Sequence, residues 1–247
     1  MTFVAALIIS AVLCYALAPV LKKAPWLFYG LSIAVVAVAF AGMADVLDGS
    51  WWKPLILLVR RCMLAFALFA VVMFIGVLPR SSKTALRMRS VRAEISIIAC
   101  ILCAGHMAVY AAPYVRRTFS GILNANMLLA MAIAVSLLVL VVVLGATSFK
   151  SVKRRMKAAN WKALQRFAYL FFGLAYLHLI CILLPSAVAG SQTAQVNVAI
   201  YSVVFMGYLV GRLWRWRADA AAAKAKGLLE SEASRRLVQE DFDLQTA

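Results

Sequence analysis

The chain has 247 residues, of which 65% are hydrophobic and 14% are charged. No water-soluble domain of this length hides so much apolar surface in one core, so the composition predicts an integral membrane protein. The net charge of +17 comes from short basic clusters between long uncharged runs. That pattern is typical of a positive-inside membrane protein and argues against nucleic-acid binding.

A membrane-spanning helix needs about 20 mostly apolar residues. In chain order, uncharged windows of that kind occur at 2–21, 24–44, 62–79, 95–115 and 118–149. The uncharged stretch 167–211 has room for two further spans, with a break predicted at Pro185, Ser186, Gly190 and Ser191. If the third span begins near Trp52 instead, Arg60 and Arg61 lie in its first turns. The sequence therefore predicts an all-α, polytopic membrane helix bundle of about seven transmembrane helices.

The end of the chain has a different composition. After Trp216 the residues are mainly Ala, Lys, Arg and Glu, which predicts a helical cytoplasmic tail over 213–247. Alternate connections between the predicted spans place 21 of the 26 lysines and arginines on one side of the membrane. The positive-inside rule then predicts an amino terminus outside the cell and a carboxyl terminus in the cytoplasm.

The two histidines are the candidate metal ligands. His106 follows the cytoplasmic Arg92 by 14 residues and His178 follows Arg166 by 12, which correspond to ~21 Å and ~18 Å along parallel helices. Both imidazoles are therefore expected at nearly one level, in the outer half of a hydrocarbon core about 30 Å thick. Two imidazoles at one level satisfy the axial positions of a haem iron between the fourth and sixth predicted helices.

A second interpretation of the histidines stays open. Intramembrane histidines also form hydrogen bonds to neighbouring helices or line polar cavities, as in a cofactor-free transporter or assembly subunit. The sequence contains no catalytic triad, paired carboxylates, phosphate-binding glycine loop or zinc-ligand spacing. Glu94 is expected too near an interface to act as a buried proton relay.

Four arginines lie on the predicted outer side, which is also the side of the proposed iron. Haem propionates need cationic partners, and the candidates are Arg60, Arg61, Arg116 and Arg117. Each of them serves equally well as an anchor for a helix end at the lipid headgroups.

Three stretches give the chain a family resemblance. They are Arg61 to Pro79, Arg92 to Tyr110 with His106, and a segment that contains Ala146 to Ser148, Lys153 to Arg155, Trp161 to Arg166, Tyr169 and His178. The chain resembles the ferric reductase-like transmembrane family, and particularly its MsrQ/YedZ branch of haem-binding membrane subunits. The resemblance covers roughly residues 25–212, which implies a six-helix haem-binding domain there and an additional transmembrane helix over 1–24.

This resemblance implies that His106 and His178 ligate one b-type haem. It also implies a multi-pass protein of the bacterial inner membrane that carries electrons outward, as a subunit rather than a complete enzyme. The expected donor is a quinol or a cytoplasmic flavin reductase, because no nicotinamide-binding motif is present. The expected acceptor is an extracytoplasmic redox protein, either a methionine sulfoxide reductase or a flavoprotein. Direct reduction of ferric iron is the alternative, and a bound quinone or FMN stays open.

The sequence departs from the family pattern at one position. Many relatives have a third histidine where this chain has Gln165. A second haem with two histidine ligands is therefore not possible within this chain, since no further histidine remains.

Overall fold

The computed structural model describes residues 3–44, 46, 52–79, 81–120 and 124–246. These residues form helices and short connections, and no strand occurs among them, which confirms the all-α prediction. The helices are α1 (Phe3–Ala16), α2 (Ala18–Lys23), α3 (Pro25–Met43), α4 (Lys53–Arg60), α5 (Met63–Ile75), α6 (Lys83–Arg89), α7 (Arg92–Phe119), α8 (Ala125–Ser148), α9 (Lys150–Arg154), α10 (Ala158–Gln165), α11 (Phe167–Val188) and α12 (Gln192–Thr246).

Five of the described helical segments are long and apolar enough to cross a membrane. They are α3, α7, α8, α10 with α11, and the first part of α12. The pair α4 and α5 makes a sixth if it is taken as one bent span, and α1 is a shorter apolar helix. This is the architecture of a multi-pass membrane protein.

The third predicted span, 62–79, contains α5, and the alternative start near Trp52 adds a separate helix, α4. Helices α4 and α5 meet at an angle of 54°, and Cys62 between them has φ of 54°, in the left-handed region. A left-handed residue cannot continue an α-helix, so the chain changes direction there. The alternative start near Trp52 places Arg60 and Arg61 at this break, at the end of α4.

One predicted boundary is wrong. The window 118–149 begins too early, because α7 continues to Phe119 and α8 begins only at Ala125. The break predicted at Pro185, Ser186, Gly190 and Ser191 occurs at the last two of these residues, because α11 continues through Pro185 to Val188. The turn comes at Gly190, whose φ of +92° suits a residue without a Cβ.

Helix α5 is at the centre of the bundle. Eleven of its thirteen residues are buried, and its Phe66 ring packs on Phe172 of α11 and Phe205 of α12 at centroid distances of 5.9 and 5.5 Å. Phe3 of α1 packs against the same ring at a centroid distance of 5.3 Å. The amino-terminal helix is thus part of the common core.

Helix α12 runs without interruption across the predicted boundary between 212 and 213, and it extends over 55 residues. The backbone therefore has no joint where the apolar composition ends. The predicted division into 1–24, 25–212 and 213–247 stays a prediction, and its outermost residues 1, 2 and 247 lie outside the described part of the chain.

Candidate functional site

Each of the two histidines is tied to a main-chain carbonyl of another helix. His106, on α7, places its Nδ1 2.7 Å from the main-chain oxygen of Arg60. His178, on α11, places its Nδ1 3.0 Å from the main-chain oxygen of Ala130 in α8. Both side chains are partly buried.

These two contacts fix the protonation of both rings. A carbonyl oxygen can only accept a hydrogen bond, so Nδ1 must carry the proton and donate it in each case. In a neutral imidazole the other nitrogen, Nε2, then keeps its lone pair. The two contacts therefore favour the same neutral tautomer for His106 and His178, in which Nε2 keeps its lone pair.

The break between α4 and α5 explains why the Arg60 carbonyl accepts a bond from His106. In a continuous helix this oxygen would accept from Leu64, four residues on. The chain instead turns at Cys62, and α5 begins at Met63. The end of α4 thus leaves a carbonyl that needs a donor inside an apolar bundle, and His106 supplies it.

A proline in α11 causes a second helix irregularity, close to His178. Pro185 has no N–H, so the carbonyl of Cys181, four residues earlier in α11, loses its helical donor. Asn126 of α8 donates to that oxygen from Nδ2 at 2.6 Å. His178 donates in the opposite direction, from α11 to the Ala130 carbonyl of α8. These reciprocal bonds fix α11 against α8 one turn apart.

Helices α7 and α11, which carry the two imidazoles, share a packing partner. Both helices pack against α8. Direct packing of α7 on α11 is slight among the described residues. The two histidines therefore lie on helices that are joined by a common third helix.

Close packing beside His106 fixes the rotation of α7. A Cβ on Gly105 would lie 2.7 Å from a methyl carbon of Val36 on α3, so only glycine permits this approach. On the other side of the histidine, the Tyr110 ring lies 5.1 Å from the imidazole, centroid to centroid.

The structure separates the four candidate arginines into two groups. The exposed Arg60 and Arg61 lie at the helix break, and the carbonyl of Arg60 contacts His106 directly. Arg116 and Arg117 lie in the last turn of α7, about 15 Å along the axis from His106. Both are exposed, and the Arg117 guanidinium lies 6.0 Å from the Tyr114 ring.

The donor set consists of two imidazoles. Among the described residues, no three His, Cys, Asp or Glu side chains form a cluster that could hold a metal ion. His106 and His178 are the residues that would hold a haem iron, because neutral imidazoles are haem ligands. A main-chain oxygen on each Nδ1–H is the outer contact that orients ligating histidines.

Trp161, Gln165 and Lys153 form a cluster with Thr147 at the basic end of the bundle. Trp161 Nε1 donates to the main-chain oxygen of Thr147 at 3.0 Å. Gln165 Nε2 donates to the hydroxyl oxygen of the same threonine at 3.0 Å. Lys153 lies over the Trp161 ring at 4.2 Å. Gln165 thus has a structural partner, and it precedes His178 by about 20 Å of helix.

Glu94 lies in the first turn of α7, and its side chain is buried there. The residue is 4% exposed, and Lys150 Nζ contacts its carboxylate at 3.4 Å. With Tyr29 and Ser148 it lines a cavity of about 270 Å³. The sequence around Glu94 did not indicate that this residue is buried, because Glu94 pairs with Lys150, which is distant in the sequence.

Comparison with known proteins gives one relative with no assigned activity. A Treponema pallidum (strain Nichols) protein, described as an uncharacterized protein, is 36% identical over 199 residues, which are 80% of this chain and 53% of the relative. The chain thus spans about half the length of that protein. No family model matches the chain, and no solved structure matches it.

Proposed function

We propose that this protein is a b-type haem membrane subunit that transfers electrons to an extracytoplasmic redox partner. The observation that supports the proposal is that the two histidines make the same kind of hydrogen bond. Each donates from Nδ1 to a main-chain carbonyl, and each keeps an Nε2 lone pair. Two such rings, on helices that both pack against α8, would provide the donor set of a bis-histidine haem.

The residues of this chain would perform three tasks for that group. His106 and His178 would hold the iron through Nε2, and the Arg60 and Ala130 carbonyls would fix the ring orientation. The apolar bundle would exclude water from the haem. This exclusion and the two histidine ligands would together set the reduction potential of the haem. Arg60 and Arg61 are the basic residues at the site available to the propionates. The bound haem would supply a reversible one-electron couple.

The proposed electron donor is a quinol or a cytoplasmic flavin reductase. The proposed acceptor is a methionine sulfoxide reductase-like protein or a flavoprotein outside the membrane. Transfer outward follows from the proposed topology, in which the basic end of the bundle faces the cytoplasm and the histidines lie toward the opposite side. The proposed location is the inner membrane of a bacterium.

Haem content per chain tests the proposal. The protein purified from haem-replete cells is expected to contain one haem b per chain, measured as the pyridine haemochrome against protein concentration. His106→Ala and His178→Ala are each expected to reduce this content to a small fraction. A colourless wild-type protein, or a full complement in either variant, would refute the assignment.

Asn126→Ala is the matched control for these variants. Asn126 is also polar, lies between the same helices as His178, and makes the reciprocal bond to α11. Its loss weakens the α8–α11 contact without removing an Nε2 ligand. Haem content is therefore expected to stay near one per chain in Asn126→Ala.

A cofactor-free membrane protein is the second candidate, and the same hydrogen bonds favour it. His106 satisfies the carbonyl at the end of α4, and His178 helps to join α8 to α11. Polar side chains perform this role in many membrane proteins at about 1 kcal/mol each. In that case glutamine, which also donates to a carbonyl, is expected to replace each histidine with little change in stability and no change in colour.

A further inference from the structure

An apolar groove lies between the amino-terminal helix and the core at the basic end of the bundle. Its volume is about 450 Å³, within the range of roughly 300 to 1,000 Å³ that is typical of ligand pockets. Val12 and Tyr15 of α1 form one wall, Val71 and Phe74 of α5 form the other, and Met88 of α6 lies at the basic end.

The groove is open on the side of α1 that faces away from the core. Val12 is 60% exposed and Tyr15 is 40% exposed. Both belong to an apolar helix, so their exposed surfaces would face lipid in a membrane. A single α1 of 14 residues covers about 21 Å, less than the hydrocarbon thickness of about 30 Å. The open side of the groove is thus accessible to lipid chains.

Two arginines contact residues that line the end of this groove. Helices α2 and α6 contain five basic residues and no acidic one, namely Lys22, Lys23, Lys83, Arg87 and Arg89. Arg87 is the central residue: its Nη2 donates to the Ala16 carbonyl at 3.1 Å, and its guanidinium carbon lies 4.5 Å from the Tyr15 ring centroid.

The Arg87 guanidinium has donor capacity left over. Its Nε is buried and makes no hydrogen bond within the described part of the chain. Nearby Arg89 donates to the Leu78 carbonyl at 3.1 Å, which holds a second guanidinium at the same end. A buried donor without an acceptor is costly, and guanidinium groups bind phosphate oxygens in preference to most acceptors.

We propose that this groove binds one anionic glycerophospholipid of the adjacent leaflet. The phosphodiester would lie against Arg87 and Arg89, and an acyl chain would occupy the groove between α1 and α5. An apolar slot that ends in arginines matches both parts of such a lipid, whereas a zwitterionic lipid would place its own cation among these residues. The lipid would also join α1 to α6 across the Ala16 contact.

Native mass spectrometry tests this proposal. The full-length protein is reconstituted in nanodiscs with equal amounts of phosphatidylglycerol and phosphatidylcholine, released into mild detergent, and weighed with its retained lipids. One phosphatidylglycerol per chain is expected, with a preference of at least several-fold over phosphatidylcholine. Equal retention of the two lipids by the wild-type protein would overturn the proposal.

Two substitutions locate the bound lipid. Val12→Trp fills the groove from an exposed position and changes no charge, so lipid retention is expected to fall several-fold. Val139→Trp is the matched control, because Val139 is similarly exposed at 57% on α8, away from the groove. Unchanged retention in Val12→Trp would contradict the site, whatever its haem content.

Arg87→Gln separates charge from shape. Retention of phosphatidylglycerol is expected to fall toward that of phosphatidylcholine, because the variant lacks the guanidinium charge. Because Arg87 also contacts α1, Arg89→Gln provides a second charge variant that leaves the Ala16 bond in place. A full anionic preference in both variants would show that these arginines do not bind the headgroup.

Discussion

Asn126 donates a hydrogen bond to the main-chain oxygen of Cys181 at 2.6 Å, and this oxygen is the one that Pro185 deprives of its helical donor. The side chain on α8 therefore repairs a defect in α11. The repair lies one turn from His178, which bonds back to α8 through the Ala130 carbonyl.

Asn126→Leu is expected to destabilise the protein by about 1 kcal/mol, because the Cys181 carbonyl loses its donor. Pro185→Ala restores the helical N–H to that oxygen, so the double variant is expected to recover most of the loss. Unfolding in a denaturing detergent titration measures the four proteins of this cycle. Additive effects of the two substitutions would contradict the repair.

Gly105→Ala is expected to destabilise the protein by about 1 to 3 kcal/mol, because the new Cβ would meet Val36 at 2.7 Å. The backbone of α7 would have to move from α3, and His106 would move with it. Val36→Ala removes the two closest methyl carbons, and it is expected to restore part of the stability when combined with Gly105→Ala. Thermal unfolding followed by circular dichroism measures both effects. Gly173→Ala serves as the control, because no atom lies within 4 Å of its added Cβ.

Cys62→Val is expected to destabilise the protein by about 1 to 3 kcal/mol, since a β-branched residue is strained at φ of 54°. Cys62→Gly relieves the left-handed strain and is expected to be at least as stable as the wild type. The same unfolding measurement compares the two variants. Equal stability of Cys62→Val and Cys62→Gly would mean that the backbone at the break is not left-handed in solution.

Lys150→Met is expected to lower stability by about 1 to 2 kcal/mol, because it leaves the buried Glu94 carboxylate without its cation. The estimate is modest because the Lys150 side chain is 69% exposed. Lys150→Arg keeps the charge and is expected to stay within about 0.5 kcal/mol of the wild type. If Glu94→Gln makes Lys150→Met harmless, the carboxylate is the origin of the cost.

The membrane class and the all-α architecture could be predicted because they depend on local composition. Uncharged windows of about 20 residues determine where helices can cross lipid, and α1, α3, α5, α8 and α11 lie within them. The break at Cys62 could not be predicted, because the residue has no intrinsic preference for a positive φ. The path of α11 through Pro185 depends on Asn126, which lies 59 positions earlier in the chain.

Some residues of the candidate site could likewise be predicted from the sequence, and others could not. Its two histidines were recognisable because the chain contains no others and because helical rise places them at similar depths. The acceptors Arg60 and Ala130 were not recognisable, since they contribute main-chain oxygens that carry no side-chain signal. The role of Gly105, beside His106, could not be predicted either, because its close approach to Val36 exists only in the folded bundle.

Replacement of an axial ligand tests the central claim most directly. We expect the oxidised wild-type protein to show the electron paramagnetic resonance spectrum of a low-spin haem with two imidazole ligands. His178→Met is expected to change it to a histidine–methionine spectrum and to raise the reduction potential, and His106→Met is expected to do the same. A wild-type protein without haem, or a spectrum and potential that neither substitution alters, would contradict the account.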